Sequence, residues 1–205
     1  MRSRPIAGLV AGLVAALALL TACGADGDAD ELAGYVRTPA PEVGALSLPD
    51  VGDDGDEFAF RAADDHLLLV YFGFTNCPDF CPTTMSDVGL ALARLEPELA
   101  DRVQVAMVSV DPDRDLPVLD RYVTSFVEGA HALGTDDLDR LAEVAAPFGA
   151  AYEISTVEGE TEVGHTTALY AVDDQGRLVL TWPFGVPIDD LAADIETLLD
   201  RTGSA

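Results

Sequence analysis

Three cysteines occur in the 205 residues, and two of them stand close together in Cys77-Pro78-Asp79-Phe80-Cys81. If both lie in the first turn of a helix, their i, i+4 spacing puts the two sulfurs on one side of it. The free N–H groups and the dipole at a helix start favour thiolate, lowering a thiol pKa that begins near about 8.5. Soft thiolates select soft ions, above all Cu(I), and two sulfurs suit its low coordination number. His165, in Gly164-His165-Thr166-Thr167, is the third candidate. Its imidazole is a harder donor, so two thiolates with one nitrogen also suit Cu(II), and such a site can carry copper through a redox step.

Blander roles are available to the same residues. Cys77 and Cys81 could form a structural disulfide, and outside the reducing cytosol a disulfide is a resting state. A bridge that closes only five residues constrains the unfolded chain very little, which argues against a purely structural purpose. His66, beside two aspartates, and His131, in Gly129-Ala130-His131, read as ordinary surface or core histidines. Asp111 reads as a strand-end residue that orients its neighbourhood, because carboxylate is a poor partner for Cu(I).

The elements that must position these groups are legible in the hydrophobic pattern. Leu67 to Phe74 is a continuous apolar run bounded by Asp64-Asp65-His66, as expected of a strand buried on both faces, and Val103 to Val110 reads the same way. Between them Thr83 to Leu99 carries Met85, Val88, Leu92, Leu95 and Leu99 at helical spacing. A strand–helix–strand unit implies parallel pairing of the two strands. Asp115 to Val127 and Asp136 to Phe148 are expected to be two further helices. Leu169 to Asp173 and Leu178 to Trp182 form a hairpin across Asp174-Gln175-Gly176, and an amphipathic helix from Ile188 to Leu199 follows. His165 can reach the cysteines if the first hairpin strand neighbours the strand ending at Phe74. The order is that of an α/β domain with a mixed sheet and no internal repeat.

Charge narrows the partners. Against 37 acidic residues stand 11 basic ones, all arginine, for a net charge of −26. Such a chain is repelled by phosphate backbones, which excludes nucleic-acid binding. Arg2 and Arg4 precede an apolar run from Ile6 to Leu20 that ends in Leu20-Thr21-Ala22-Cys23. The run is too short for the ~20 residues of a membrane span and has the layout of a signal peptide. Leu-Thr-Ala-Cys also resembles a bacterial lipobox, which implies a lipid on Cys23. Cleavage there would leave nine arginines against 37 acids, a charge of −28. The expected organisation is a signal peptide over residues 1–22, an acidic flexible linker with lipidated Cys23 over 23–47, and one domain over 48–205. An exported protein, lipid-anchored to the outer face of the cytoplasmic membrane, is implied.

Phe72-Gly73-Phe74-Thr75-Asn76-Cys77-Pro78-Asp79-Phe80-Cys81-Pro82-Thr83-Thr84 resembles the Sco/SenC family of copper-binding, thioredoxin-like proteins. Val110-Asp111-Pro112-Asp113-Arg114-Asp115 resembles that family's Asp-Pro-x-Arg-Asp stretch. Gly164-His165, followed by Tyr170 and Asp173-Asp174-Gln175-Gly176, resembles its histidine segment. Asn76 departs from the family, which often has His there, and is not counted as a ligand. The resemblance implies a thioredoxin-like fold, copper held by Cys77, Cys81 and His165, and a part in maturing the binuclear copper site of cytochrome c oxidase. Its partners would be the oxidase subunit that carries that site and other copper chaperones, and the protein would be a monomer.

A thiol–disulfide reductase is the alternative, since Cys77 and Cys81 also supply an attacking and a resolving thiol. Ordinary thioredoxin-like reductases use Cys-x-x-Cys with a proline before the facing strand. Here one more residue separates the cysteines, and no proline lies between Pro147 and Pro183. The peroxiredoxin pattern Pro-x-x-x-Thr-x-x-Cys fails, because Val70 and Phe74 stand at its Pro and Thr positions.

Overall fold

Leu67–Gly73 (β4) is buried at all seven positions, the signature of a strand covered on both faces. The computed structural model describes residues 32–157 and 159–202; the expected signal peptide and Cys23 lie outside them. On one side β4 pairs in parallel with β5 (Val103–Ser109), and β5 in parallel with β6 (His131–Leu133). On the other side it pairs antiparallel with β9 (Leu169–Val172), which turns back into β10 (Leu178–Trp182). Three short strands, β1 (Tyr35–Val36), β2 (Ser47–Asp50) and β3 (Asp56–Ala59), complete a mixed eight-stranded sheet in the order β1-β10-β9-β4-β5-β6-β2-β3. β7 (Tyr152–Val157) and β8 (Glu160–His165) make a separate two-stranded ribbon.

The helix that crosses from β4 to β5 is α1 (Phe80–Leu92), whose buried face is Cys81, Thr84, Met85, Val88 and Ala91. It is shorter than the helical spacing suggested. Glu96 is extended ahead of Pro97, and Pro97 opens a separate turn, α2 (Pro97–Ala100). The helix expected over 115–127 is likewise divided into α3 (Pro112–Asp115) and α4 (Leu119–Thr124). Pro117 falls between them and has no N–H to continue the ladder. α5 (Leu138–Phe148) starts where Asp137 accepts from the N–H groups of Asp139 and Arg140, and it ends at Gly149 in the left-handed conformation. α6 (Ile188–Thr202) packs against α1.

The folded unit begins earlier than composition indicated. Residues 32–47 were expected to belong to the linker, yet β1 pairs with β10 and Val43 is fully buried. The buried carboxylate of Asp194 on α6 explains why: it accepts from the N–H groups of Ala33 at 3.1 Å and Gly34 at 3.0 Å, and from Trp182 Nε1 at 2.7 Å. Three donors on one desolvated carboxylate fix the incoming chain against the last strand and helix.

Candidate metal centre

β4 ends at Gly73, and the chain turns through Phe74-Thr75-Asn76 before α1 begins. Cys77 lies in this turn, not in the helix as its spacing suggested; only Cys81 occupies the first helical turn. The two sulfurs still converge, with the Cys81 N–H directed at Cys77 Sγ over 3.4 Å. Both cysteines are free thiols, Cys81 fully buried and Cys77 nearly so.

His165 arrives from the other side. It is the last residue of β8, and the chain leaves it for β9, which pairs with β4, so the neighbour relation that the sequence required is met. Sγ of Cys77, Sγ of Cys81 and a ring nitrogen of His165 all lie within 4.8 Å of one another, and Cys81 Sγ is 3.4 Å from Nε2. The ring is oriented by its other nitrogen: Nδ1 lies 2.9 Å from the Thr166 carbonyl, which can only accept, so Nδ1 carries the hydrogen. In the neutral imidazole the Nε2 lone pair then faces the sulfurs. Edge contacts from Tyr71 at 5.9 Å and Phe74 at 5.5 Å between centroids hold the ring plane. An open depression of about 350 Å³, walled by Tyr152, Glu153, Gly164 and Thr166, leads to His165 from solvent.

At Cys81 the electrostatics run against the helix-start expectation. Burial pushes the Cys81 thiol up to about 12; the backbone N–H of Phe74 opposes this without overcoming it. Burial also lowers His165 from its ordinary value, partly offset by the carbonyls of Thr166 and Phe72, so the ring stays neutral. A buried thiol that keeps its proton beside a neutral imidazole is costly to charge by proton loss alone. A bound cation reverses that balance, since it replaces the thiol proton and neutralises the thiolate in place.

Two supports were not apparent from sequence. Tyr71, buried on β4, directs its hydroxyl at Cys81 Sγ over 3.7 Å. The carboxylate of Asp115, also fully buried, accepts from Thr75 N–H at 3.1 Å, Thr75 Oγ1 at 2.6 Å and Ser109 Oγ at 2.7 Å, pinning the turn that carries Cys77. Asp115 lies in the Asp111–Asp115 stretch, so its segment was visible even though its role was not. Asp111 is ion-paired with Arg114 and its N–H donates to Ser109 Oγ, in keeping with an orienting role. His131 pairs with Asp50 at 2.7 Å and His66 with its own Asp64 carbonyl, both as structural residues.

This geometry can be set beside known proteins. The SCO1/SenC family description matches residues 44–200. The chain belongs to that family. It is 29% identical over 164 residues to a Stutzerimonas stutzeri protein named as a candidate for copper binding, covering 78% of this chain and 80% of that one. It is 30% identical over 131 residues to an SCO2-like protein of Rickettsia prowazekii, a stretch that covers 62% of this chain and 63% of that one. Among solved structures, apo Sco1 from Thermus thermophilus superposes with a TM-score of 0.71 at 34% identity, covering 82% of this chain and 97% of that one. Bradyrhizobium japonicum ScoI, solved with copper bound, gives a TM-score of 0.64 at 27% identity, over 74% and 96%. The family's thioredoxin-like fold is therefore also the fold of this chain, as the resemblance implied.

Proposed function

We propose that this chain binds copper through Cys77, Cys81 and His165 and delivers it to, or prepares, the binuclear copper site of cytochrome c oxidase. The observation that carries the reading is the convergence of two thiols and one imidazole nitrogen within 4.8 Å. The donor set fits the cargo: two soft sulfurs for Cu(I), with a nitrogen whose lone pair is already aimed inward for Cu(II). The family relationship and the copper-bound state of the Bradyrhizobium japonicum protein support it. The chain's own contribution is positioning. Asp115 holds the Cys77 turn, Tyr71 and Phe74 hold the imidazole, and the Thr166 carbonyl sets its tautomer.

Action as a thiol–disulfide reductase is less well served. The imidazole of His165 stands beside the cysteine pair, and no proline precedes the facing strand, which favours holding a metal over turnover of disulfides. The membrane tether belongs to the same proposal: the Leu20–Cys23 pattern supports export and lipid attachment at Cys23, on the outer face of the cytoplasmic membrane. The test is oxidase assembly in a strain lacking this gene. Wild type and added copper should both restore oxidase activity, while Cys77→Ser and Cys81→Ser should not. Full rescue by either serine variant would refute copper delivery.

A further inference from the structure

The face of β4 that carries Tyr71 and Gly73 meets Cys81. Successive side chains of a strand point to opposite faces, so Tyr71 and Gly73 share one, and Met107, the partner of Tyr71 in register, stands beside them on β5. A Cβ on Gly73 would lie 2.7 Å from the Tyr71 ring, 3.0 Å from Cys81 Sγ and 3.1 Å from the Met107 methyl, so the three side chains close on one spot. All three are fully buried. In this enclosure the Tyr71 hydroxyl is directed at Cys81 Sγ over 3.7 Å. A phenol keeps its hydrogen at neutral pH, so the hydroxyl donates and the sulfur accepts. Cys77 Sγ differs: it accepts from the Cys81 N–H at 3.4 Å and from no hydroxyl among the described residues. The two sulfurs are therefore unequal. Packing does not call for the Tyr71 oxygen, since the ring alone makes the edge contact with His165. A buried hydroxyl is costly unless it is well bonded, and a thiol is a weak acceptor. A thiolate is a strong one, so the hydroxyl is matched to the charged sulfur that holds an ion and poorly matched to the thiol.

We propose that the Tyr71 hydroxyl sets the oxidation-state preference of the copper site: bonded to Cys81 Sγ, it weakens the sulfur's donation to Cu(II) more than to Cu(I) and so favours cuprous cargo. A hydrogen bond draws electron density from sulfur, and Cu(II), the harder and more highly charged ion, loses more by it. Hydrogen bonding around a cysteine sulfur is for this reason one of the levers that tune a copper potential. Tyr71 is neither a ligand nor oxidised; it acts on the ion only through Cys81. This role rests on the copper binding proposed above and adds to it what decides between the two oxidation states, since the same sulfurs and nitrogen suit both.

Tyr71→Phe removes the hydroxyl and keeps the ring against His165. Cu(I) and Cu(II) affinities of the full chain, each measured anaerobically by competition with a chelator, give the ratio that the hydroxyl should govern. The variant should shift that ratio about tenfold toward Cu(II), equivalent to a fall of about 59 mV in a one-electron potential. Its sulfur-to-copper charge-transfer band should move to lower energy, because the sulfur electrons are no longer held by the donor. Tyr170→Phe takes the same atom from the opposite face of the sheet, where Tyr170 packs on Phe72, and should move neither the ratio nor the band. Thermal melts check that both variants are folded. An unchanged or reversed ratio in Tyr71→Phe, or an equal change in Tyr170→Phe, would overturn the role of the hydroxyl and leave copper binding standing. Wild-type protein that retains no copper would instead overturn the copper reading, and this role with it.

Discussion

At the residue scale, the state of Cys81 governs how the site responds to pH. Its thiol is held protonated up to about 12 by burial. Copper needs the thiolate, so binding must expel that proton, while His165, lowered from its ordinary value, stays neutral and does not compete. Apparent Cu(I) affinity should therefore rise with pH, by at least about tenfold per unit over roughly pH 7 to 8, in competition titrations against a chelator of known proton balance. A flat profile would mean that Cys81 is not a ligand. His165 carries a different expectation. Because nitrogen matters more to Cu(II) than to Cu(I), His165→Ala should keep most Cu(I) affinity but weaken Cu(II) and shift the sulfur-to-copper charge-transfer band. An unchanged band would remove His165 from the coordination sphere. Gly73 is fixed by the same crowding. A Cβ there would stand 2.7 Å from the Tyr71 ring and 3.0 Å from Cys81 Sγ, so Gly73→Ala should cost about 1–3 kcal/mol of stability in denaturant unfolding.

At the scale of elements, the site depends on how β4, α1 and the β8–β9 turn are held. Asp115 joins the Cys77 turn to the end of β5 through Thr75 and Ser109. Asp115→Ala should leave the buried Ser109 hydroxyl and the two half-buried Thr75 donors without their acceptor and lower stability by about 1–3 kcal/mol, seen as a fall in the denaturation midpoint at unchanged slope. Asp115→Asn, which keeps one acceptor oxygen, should lose less. The parts of the fold that were readable in advance are those with strong patterns. β4 and β5 are unbroken apolar runs, the β9–β10 hairpin has its turn residues, and α5 and α6 are amphipathic. The unread parts had physical reasons to be silent. β6 has three residues and β1 two, too few for any period to show. β7 is half-exposed or exposed throughout, so nothing alternates, and it was missed although it pairs with the strand that delivers His165. The candidate ligands were legible, the cysteines because their spacing is a chemical signal and His165 because its segment resembles that of the Sco/SenC family. Tyr71 was not, because a tyrosine in an apolar run carries no local mark, and of Asp115 only the segment was legible, since its role depends on Thr75 and Ser109 being brought to it by the fold.

For the whole molecule, the dominant quantity is charge. At −26 the native state repels itself, and the 11 arginines relieve this only locally, as where Arg140 bridges Glu57 at 2.5 Å or Arg94 bridges Asp189 at 3.1 Å. Screening should help more than the loss of these surface pairs hurts, so the melting temperature should rise when salt is added from low ionic strength to about 0.5 M. A fall would mean that the ion pairs dominate. The acidity is nevertheless only the setting, because carboxylates cannot supply selectivity for Cu(I). On the proposed reading selectivity belongs to the two sulfurs beyond the end of β4 and the one nitrogen at the end of β8, and the direct measurement is copper content. The anaerobically reduced full chain, loaded with Cu(I) and desalted, should retain one copper per chain, and Cys77→Ser and Cys81→Ser should each retain none. Stoichiometric copper in both serine variants would contradict the account.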